Sequence, residues 1–153
     1  MKQLLIFTGA LMITASSYSQ NKGYNGIPSL VWPKLFDITY TAGQDEFGEL
    51  QIPVFTEKVK AMSGKVISLP GYMIPFEGGF KETHFILSAL PLNACFFCGT
   101  GGPETVIEVF CNEKVPYTEK PVEVSGILKI NNSDPDKMVY ILENARFLGT
   151  VDF

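Results

Sequence analysis

Apolar and polar residues alternate most clearly between Val122 and Ile130. Apolar residues or glycine occupy every second position of this stretch, and polar residues fill most of the positions between them. A period of two predicts a half-buried strand, with Leu128 facing the core and Lys129 facing solvent. Four other stretches are rich in β-branched and aromatic residues and are flanked by turn-forming residues, which predicts further strands at 65–76, 83–90, 105–111 and 139–147.

Two glycines lie inside this strand pattern, Gly71 in the first strand and Gly126 in the fourth. Glycine inside a short strand commonly marks a tight bend. Five strands with such bends predict an all-β fold, namely a small five-stranded OB-like barrel with an N-terminal extension. A generic β-sandwich is the alternative that the pattern leaves open.

The first 19 residues have the layout of a secretory signal peptide. Lys2 precedes an apolar stretch at 4–13, and Ser17 and Ser19 stand at positions −3 and −1 of a cleavage site after Ser19. An N-terminal membrane anchor is the alternative, but ten residues reach only about 15 Å as a helix, against a bilayer core of about 30 Å. We therefore expect a periplasmic or secreted product.

The remaining chain divides into two parts. Residues 20–62 are expected to form an N-terminal arm with one strand at 35–40 and a short helix at 53–62. Residues 63–153 are expected to form the barrel domain. No later apolar run is long enough to span a bilayer, so no membrane span is expected once the signal peptide is removed.

Composition narrows the class of partner. A chain of 153 residues with 46% apolar and 18% charged residues is one globular domain rather than a disordered segment. Its 12 basic and 16 acidic residues give a net charge of −4, which argues against a nucleic-acid partner. For an exported module, an envelope or membrane protein is the partner to be expected.

The segment 64–147 resembles a family of exported bacterial proteins of unknown function. The resemblance rests on a Gly-Tyr-Met-x-Pro strand at 71–75, on His-Phe-Ile-Leu at 84–87, and on Ala94-Cys95 ahead of a Gly- and Pro-rich loop. It implies an OB-like domain and carries over no activity. In the family pattern a histidine follows two residues after the cysteine, whereas here Phe97 stands at that position and Cys98 follows it.

Three cysteines, Cys95, Cys98 and Cys111, carry the most reactive chemistry in the chain. The C-x-x-C pair at 95 and 98 allows three interpretations in an exported protein. It holds a soft metal ion such as zinc or copper, or it is a redox-active dithiol, or it forms a local structural disulfide. A thioredoxin-like site needs a helix after the first cysteine, and Gly99–Gly102 is a poor helix.

Other residues are candidates of lower weight. His84 and Cys111 are candidate additional metal ligands, although a hydrogen-bonded surface histidine and a buried apolar cysteine are the simpler interpretations. Phe96 and Phe97 either anchor a partner or cap the barrel. No base accompanies a serine or cysteine in the pattern of a hydrolase, so no catalytic residue is assigned and a non-enzymatic module is expected.

Overall fold

A computed structural model describes residues 26–45, 48–76, 81–94, 96–99 and 101–153. The predicted signal peptide and Cys95 lie outside these described residues, as do the side chains of Asp45, Lys81, Glu82 and Cys98. The described residues form two four-residue α-helices and seven strands: α1 (Trp32–Leu35), β1 (Ile38–Asp45), β2 (Gly48–Phe55), α2 (Glu57–Lys60), β3 (Val66–Pro75), β4 (Lys81–Ser88), β5 (Val106–Pro116), β6 (Val122–Ile130) and β7 (Tyr140–Thr150). The described part of the connection between β4 and β5 adds three 3₁₀ turns.

Strands β3 to β7 form a closed barrel in the order β3-β4-β5-β7-β6. Strands β5 and β7 are parallel, and all other neighbours in the barrel are antiparallel. The architecture confirms the small all-β, OB-like barrel predicted from the sequence. Each of the five predicted strands corresponds to one strand of the barrel, with ends that differ by a few residues.

The two strand glycines are explained by the close approach of neighbouring strands. A Cβ atom at Gly71 would lie 2.6 Å from Cγ of Leu87 and 2.8 Å from the carbonyl oxygen of Ser88. A Cβ atom at Gly126 would lie 2.8 Å from Cγ of Leu142. Both positions are buried, so any side chain there would displace the leucine that fills the barrel beside it.

Alternate residues of the strands fill the barrel interior. Leu128 is fully buried and Lys129 is exposed, as the alternation in β6 predicts. The same core contains residues that precede the barrel in the chain, because Trp32, Leu35 and Val59 are also fully buried in it. Segment 26–62 and the barrel therefore share one hydrophobic core.

The N-terminal region contains more structure than the sequence predicted. A complete antiparallel hairpin runs from the pair Ile38–Phe55 to the pair Asp45–Gly48, so a second strand accompanies the predicted one. Strand β2 escapes detection because both of its faces are largely exposed and no alternation results. The strand predicted at 35–40 begins only at Ile38, because Leu35 ends α1. The helix predicted at 53–62 is confined to α2, because 53–55 belong to β2, and its N-cap Thr56 accepts a hydrogen bond from the Val59 N–H. Within the described residues, no helix combines the length and apolar character needed to cross a membrane.

Candidate functional site

The C-x-x-C pair lies on the connection between β4 and β5. Cys98 ends a single 3₁₀ turn, Phe96–Cys98, which is closed by a hydrogen bond of 2.9 Å from the Gly99 N–H to the Phe96 carbonyl. Gly99 has φ of +78°, a left-handed conformation that glycine adopts without strain. The backbone from Phe96 to Gly99 is thus a tight turn, and the sulfur positions lie outside the described atoms.

The connection is fixed where it leaves and rejoins the barrel. The Ala89 N–H donates to the Thr105 carbonyl at 2.9 Å, which joins the two ends of the loop. At one end, the buried Ser88 hydroxyl donates to the Leu90 carbonyl at 2.8 Å and accepts from the Leu90 N–H at 3.1 Å. These bonds satisfy backbone groups that leave the sheet, so the loop departs from the barrel in a defined direction.

The two halves of the loop also approach each other. A Cβ atom at Gly101 would lie 2.6 Å from Oγ1 of Thr105 and 3.3 Å from the backbone nitrogen of Phe96. The Thr105 hydroxyl in turn donates to the Gly102 carbonyl at 2.7 Å. The glycines that follow the cysteine pair therefore allow close packing of the loop upon itself rather than an extended excursion.

Phe96 and Phe97 lie on the same turn in different environments. Their ring centroids are 5.3 Å apart at an interplanar angle of 69°, an edge-to-face contact. Phe96 is half-buried, whereas Phe97 is 52% exposed. Of the two, Phe97 is the side chain that remains accessible to a partner.

A tyrosine and a glutamate that the sequence analysis missed join this loop to the N-terminal hairpin. The Tyr40 hydroxyl on β1 donates to Oε2 of Glu104 at 3.1 Å. Burial, and then the charge of Glu104, raise the pKa of Tyr40 well above its usual range, so its phenol stays protonated. The Ile27 N–H donates to the Ala89 carbonyl at 2.8 Å and makes a second link. The two residues of the Tyr40–Glu104 pair are 64 positions apart, and no sequence pattern signals it.

His84 takes part in a hydrogen-bonded and stacked cluster on β4 and β5. Its Nε2 lies 2.7 Å from Oε1 of Glu108, a side chain that is only 5% exposed. The second carboxylate oxygen of Glu108 accepts from the Met138 N–H at 3.2 Å. The imidazole lies between two phenyl rings, with centroids 4.4 Å from Phe76 and 4.2 Å from Phe110. One nitrogen of His84 is therefore already occupied by protein.

Cys111 is half-buried on β5, paired with Ala145 of β7, and packs against the hydrophobic core. Burial raises the pKa of its thiol to about 11, so the sulfur is protonated at neutral pH and is a poor ligand as it stands. Among the residues that the structure describes, no three His, Cys, Asp or Glu side chains are grouped so that they could hold a metal ion. The structure thus places His84 in a stacked cluster and Cys111 against the core.

Comparisons with known proteins agree with this architecture. A family model described as "Protein of unknown function (DUF3299)" matches residues 38–147, which span both the hairpin and the barrel. The crystal structure of a DUF3299 family protein from Pseudomonas aeruginosa PAO1 is similar, with a TM-score of 0.50 and 21% identity. The similarity covers 66% of this chain and 68% of that chain, and at this identity it shows a shared fold. No curated protein gives a significant match.

Proposed function

Because the chain belongs to the DUF3299 family, whose function is unknown, we propose a function from its own residues. We propose that it is an exported, non-enzymatic binding module that holds a soft metal ion, copper(I) or zinc, between Cys95 and Cys98. The observation that carries the proposal is the tight 3₁₀ turn Phe96–Cys98 on a loop that is anchored at both ends.

The turn Phe96–Cys98 suits this pair because it keeps the chain between Cys95 and Cys98 compact, and the two cysteines are only three positions apart. Two thiolates so close in sequence are enough for copper(I), which accepts few soft ligands. Zinc would require two more ligands, and the two other candidates in this chain are already engaged: His84 bonds to Glu108 and Cys111 packs against the core.

The same turn argues against the dithiol alternative. Redox-active C-x-x-C pairs depend on a helix whose N-terminal dipole lowers the pKa of the first thiol. Here the turn is only three residues long and ends at Cys98. Without a longer helix the pair has no such source of a stabilised thiolate, and a bound cation becomes the simpler means of holding two thiolates together.

Export and a partner complete the proposal. The positive start, the apolar stretch at 4–13 and Ser17 and Ser19 support removal of a signal peptide and a periplasmic or secreted product. Phe97, exposed beside the cysteine pair, is the candidate contact for an envelope or membrane protein partner. Intact mass of the exported protein should show an N-terminus at Gln20, and a membrane-bound product that retains Met1 would contradict export.

The metal site is tested by three serine variants purified from the periplasm under reducing conditions. We expect the wild-type protein to carry stoichiometric copper or zinc, and Cys95→Ser and Cys98→Ser to lose the metal together while they remain folded. Cys111→Ser is the matched control. It should keep most of the metal and lose some stability, because a hydroxyl replaces a thiol that packs against the core.

Each alternative gives a different result in the same experiment. A dithiol protein would contain no metal in any variant and would have a disulfide with a reduction potential well above the roughly −300 mV of structural bridges. A structural disulfide would also leave the protein without metal, but it would resist mild reductant. Either result would overturn the metal-binding proposal.

A further inference from the structure

A broad groove lies where α1, α2 and the first residues of β3 meet. Its residues are distant in sequence from the cysteine loop. Its volume is about 850 Å³, within the range of small-molecule binding sites in proteins. Its floor consists of half-buried apolar side chains that pack against the barrel core: Val31, Phe36, Met62 and Ile67.

The floor is apolar because the two short helices cover the end of the barrel only in part. In α1, Trp32 and Leu35 are fully buried. Lys34, which lies between them in the sequence, is exposed and faces outward. In α2, Val59 is buried and Lys58 is exposed. The large side chains of the helices fill the core, and the apolar surface next to them stays open to solvent.

Two lysines, Lys34 and Lys58, are among the residues that line this groove. Neither has an ion-pair partner among the side chains that the structure describes. The acidic residue in the groove, Asp37, already accepts a hydrogen bond of 3.2 Å from the Thr56 hydroxyl. The lining therefore holds two lysines and one aspartate, and neither lysine forms an ion pair with a described side chain that an incoming anion would have to break.

The charge of this region is opposite to that of the whole protein. The residues that line the groove include two lysines and one acidic residue, whereas the chain has 12 basic and 16 acidic residues. Leu30 and Val66, next in sequence to floor residues Val31 and Ile67, are 86% and 71% exposed. These exposed side chains adjoin the open floor of the groove and extend the apolar surface around it.

We propose that this groove binds a monomeric amphipathic anion of the long-chain fatty acid class. The apolar chain lies along the floor and the carboxylate pairs with Lys34 and Lys58. The apolar floor accounts for binding of the chain, since its burial removes apolar surface from water on both sides. The unpaired lysines account for selection of an acid over a neutral lipid. This site is separate from the proposed metal site and does not depend on it.

The test uses cis-parinaric acid, a polyene fatty acid that becomes fluorescent in an apolar site, together with its uncharged methyl ester. We expect saturable binding of the acid to the purified protein and weaker binding of the ester. In Lys34→Gln/Lys58→Gln the acid should bind about five- to tenfold more weakly and lose its advantage over the ester, as expected for two exposed ion pairs.

Two further variants distinguish the contribution of the apolar floor to binding from that of the two lysines. Lys60→Gln is the matched control, because Lys60 lies on the same helix as Lys58 but pairs with Glu57 at 2.8 Å outside the groove. It should bind the acid as the wild type does. Met62→Gln should weaken the binding of the acid and of the ester by the same factor, because it makes the floor of the groove polar. A melting curve of this variant will show whether it is folded.

Several outcomes would overturn the proposal. These are an absence of saturable binding, equal affinity for acid and ester in the wild type, or an equal loss of affinity in the Lys60→Gln control. A further arm measures flotation with vesicles of phosphatidylcholine containing roughly one-fifth phosphatidylglycerol. Flotation without binding of monomeric parinarate would assign the surface to membrane contact and would also overturn the proposal.

Discussion

The barrel strands and the segment that precedes them fill the same core by different means. In β6, Val122, Val124 and Leu128 reach the core from a strand that is paired with β3 on one side and β7 on the other. The described segment before β1, residues 26–37, forms no strand, and its Trp32 and Leu35 reach the core from one helical turn. Backbone pairing holds the strand residues, whereas a few large side chains hold the segment.

Two side-chain hydrogen bonds to backbone carbonyls connect this segment to the barrel. Trp32 Nε1 donates to the Pro70 carbonyl at 2.7 Å, and the Tyr140 hydroxyl donates to the Leu35 carbonyl at 2.5 Å. Both bonds lie next to side chains that are fully buried. Removal of one anchor should therefore release the whole segment, whereas removal of one strand residue should weaken the barrel as a unit. The following substitutions test that distinction.

The largest effect is expected for Trp32→Ala. It removes a fully buried indole and leaves the Pro70 carbonyl without its donor, so it should lower the free energy of unfolding by about 3–5 kcal/mol. Urea unfolding gives the value, and hydrogen exchange should show new exposure of the amides in 26–37 first. Leu30→Ala is the control and should change stability by less than about 0.5 kcal/mol, since Leu30 is exposed. A loss of stability for Trp32→Ala as small as that of the control would contradict the role of Trp32 as an anchor of this segment.

In the barrel, Leu128→Ala should cost about 2–5 kcal/mol, the range for a fully buried leucine. Its effect on hydrogen exchange should extend through all barrel strands rather than stay in one segment. Lys129→Ala, on the opposite face of β6, should stay within about 0.5 kcal/mol, because its ion pair with Glu143 is exposed and 4.0 Å long. Equal costs for the two substitutions would mean that the register of β6 is wrong.

The smallest effect concerns the junction between the two regions. Tyr140→Phe removes the bond to the Leu35 carbonyl and should cost about 1 kcal/mol at neutral pH. Burial is the main cause that raises the pKa of Tyr140 far above its usual range, so the folded state favours the protonated phenol.

The pH dependence of stability follows from the raised pKa of Tyr140. The unfolded chain releases the phenolic proton near pH 10 and the folded chain does not, so the free energy of unfolding should fall as the pH rises above about 10. Tyr140→Phe should reduce this slope by at most about 1.4 kcal/mol per pH unit, the value for one proton. Urea midpoints at successive pH values measure it. An unchanged alkaline slope would show that Tyr140 does not keep its proton in the fold.

The candidate sites differ in how far the sequence pointed to them. The C-x-x-C spacing is local, so Cys95 and Cys98 could be selected without a structure. The groove could not, because Lys34 and Lys58 lie on separate helices and acquire a common apolar floor only when α1 and α2 pack on the barrel. Tyr40 and Glu104 likewise meet across 64 positions of sequence.

By itself, the sequence determined the five barrel strands and the inward face of β6. A strand that is buried on one side must alternate apolar and polar residues, and that alternation is visible over a few neighbouring positions. Only the tertiary structure decided how the barrel closes, which residues before it enter the core, and that His84 bonds to Glu108 rather than remaining free. These features depend on which distant segments come together, and no local period records that choice.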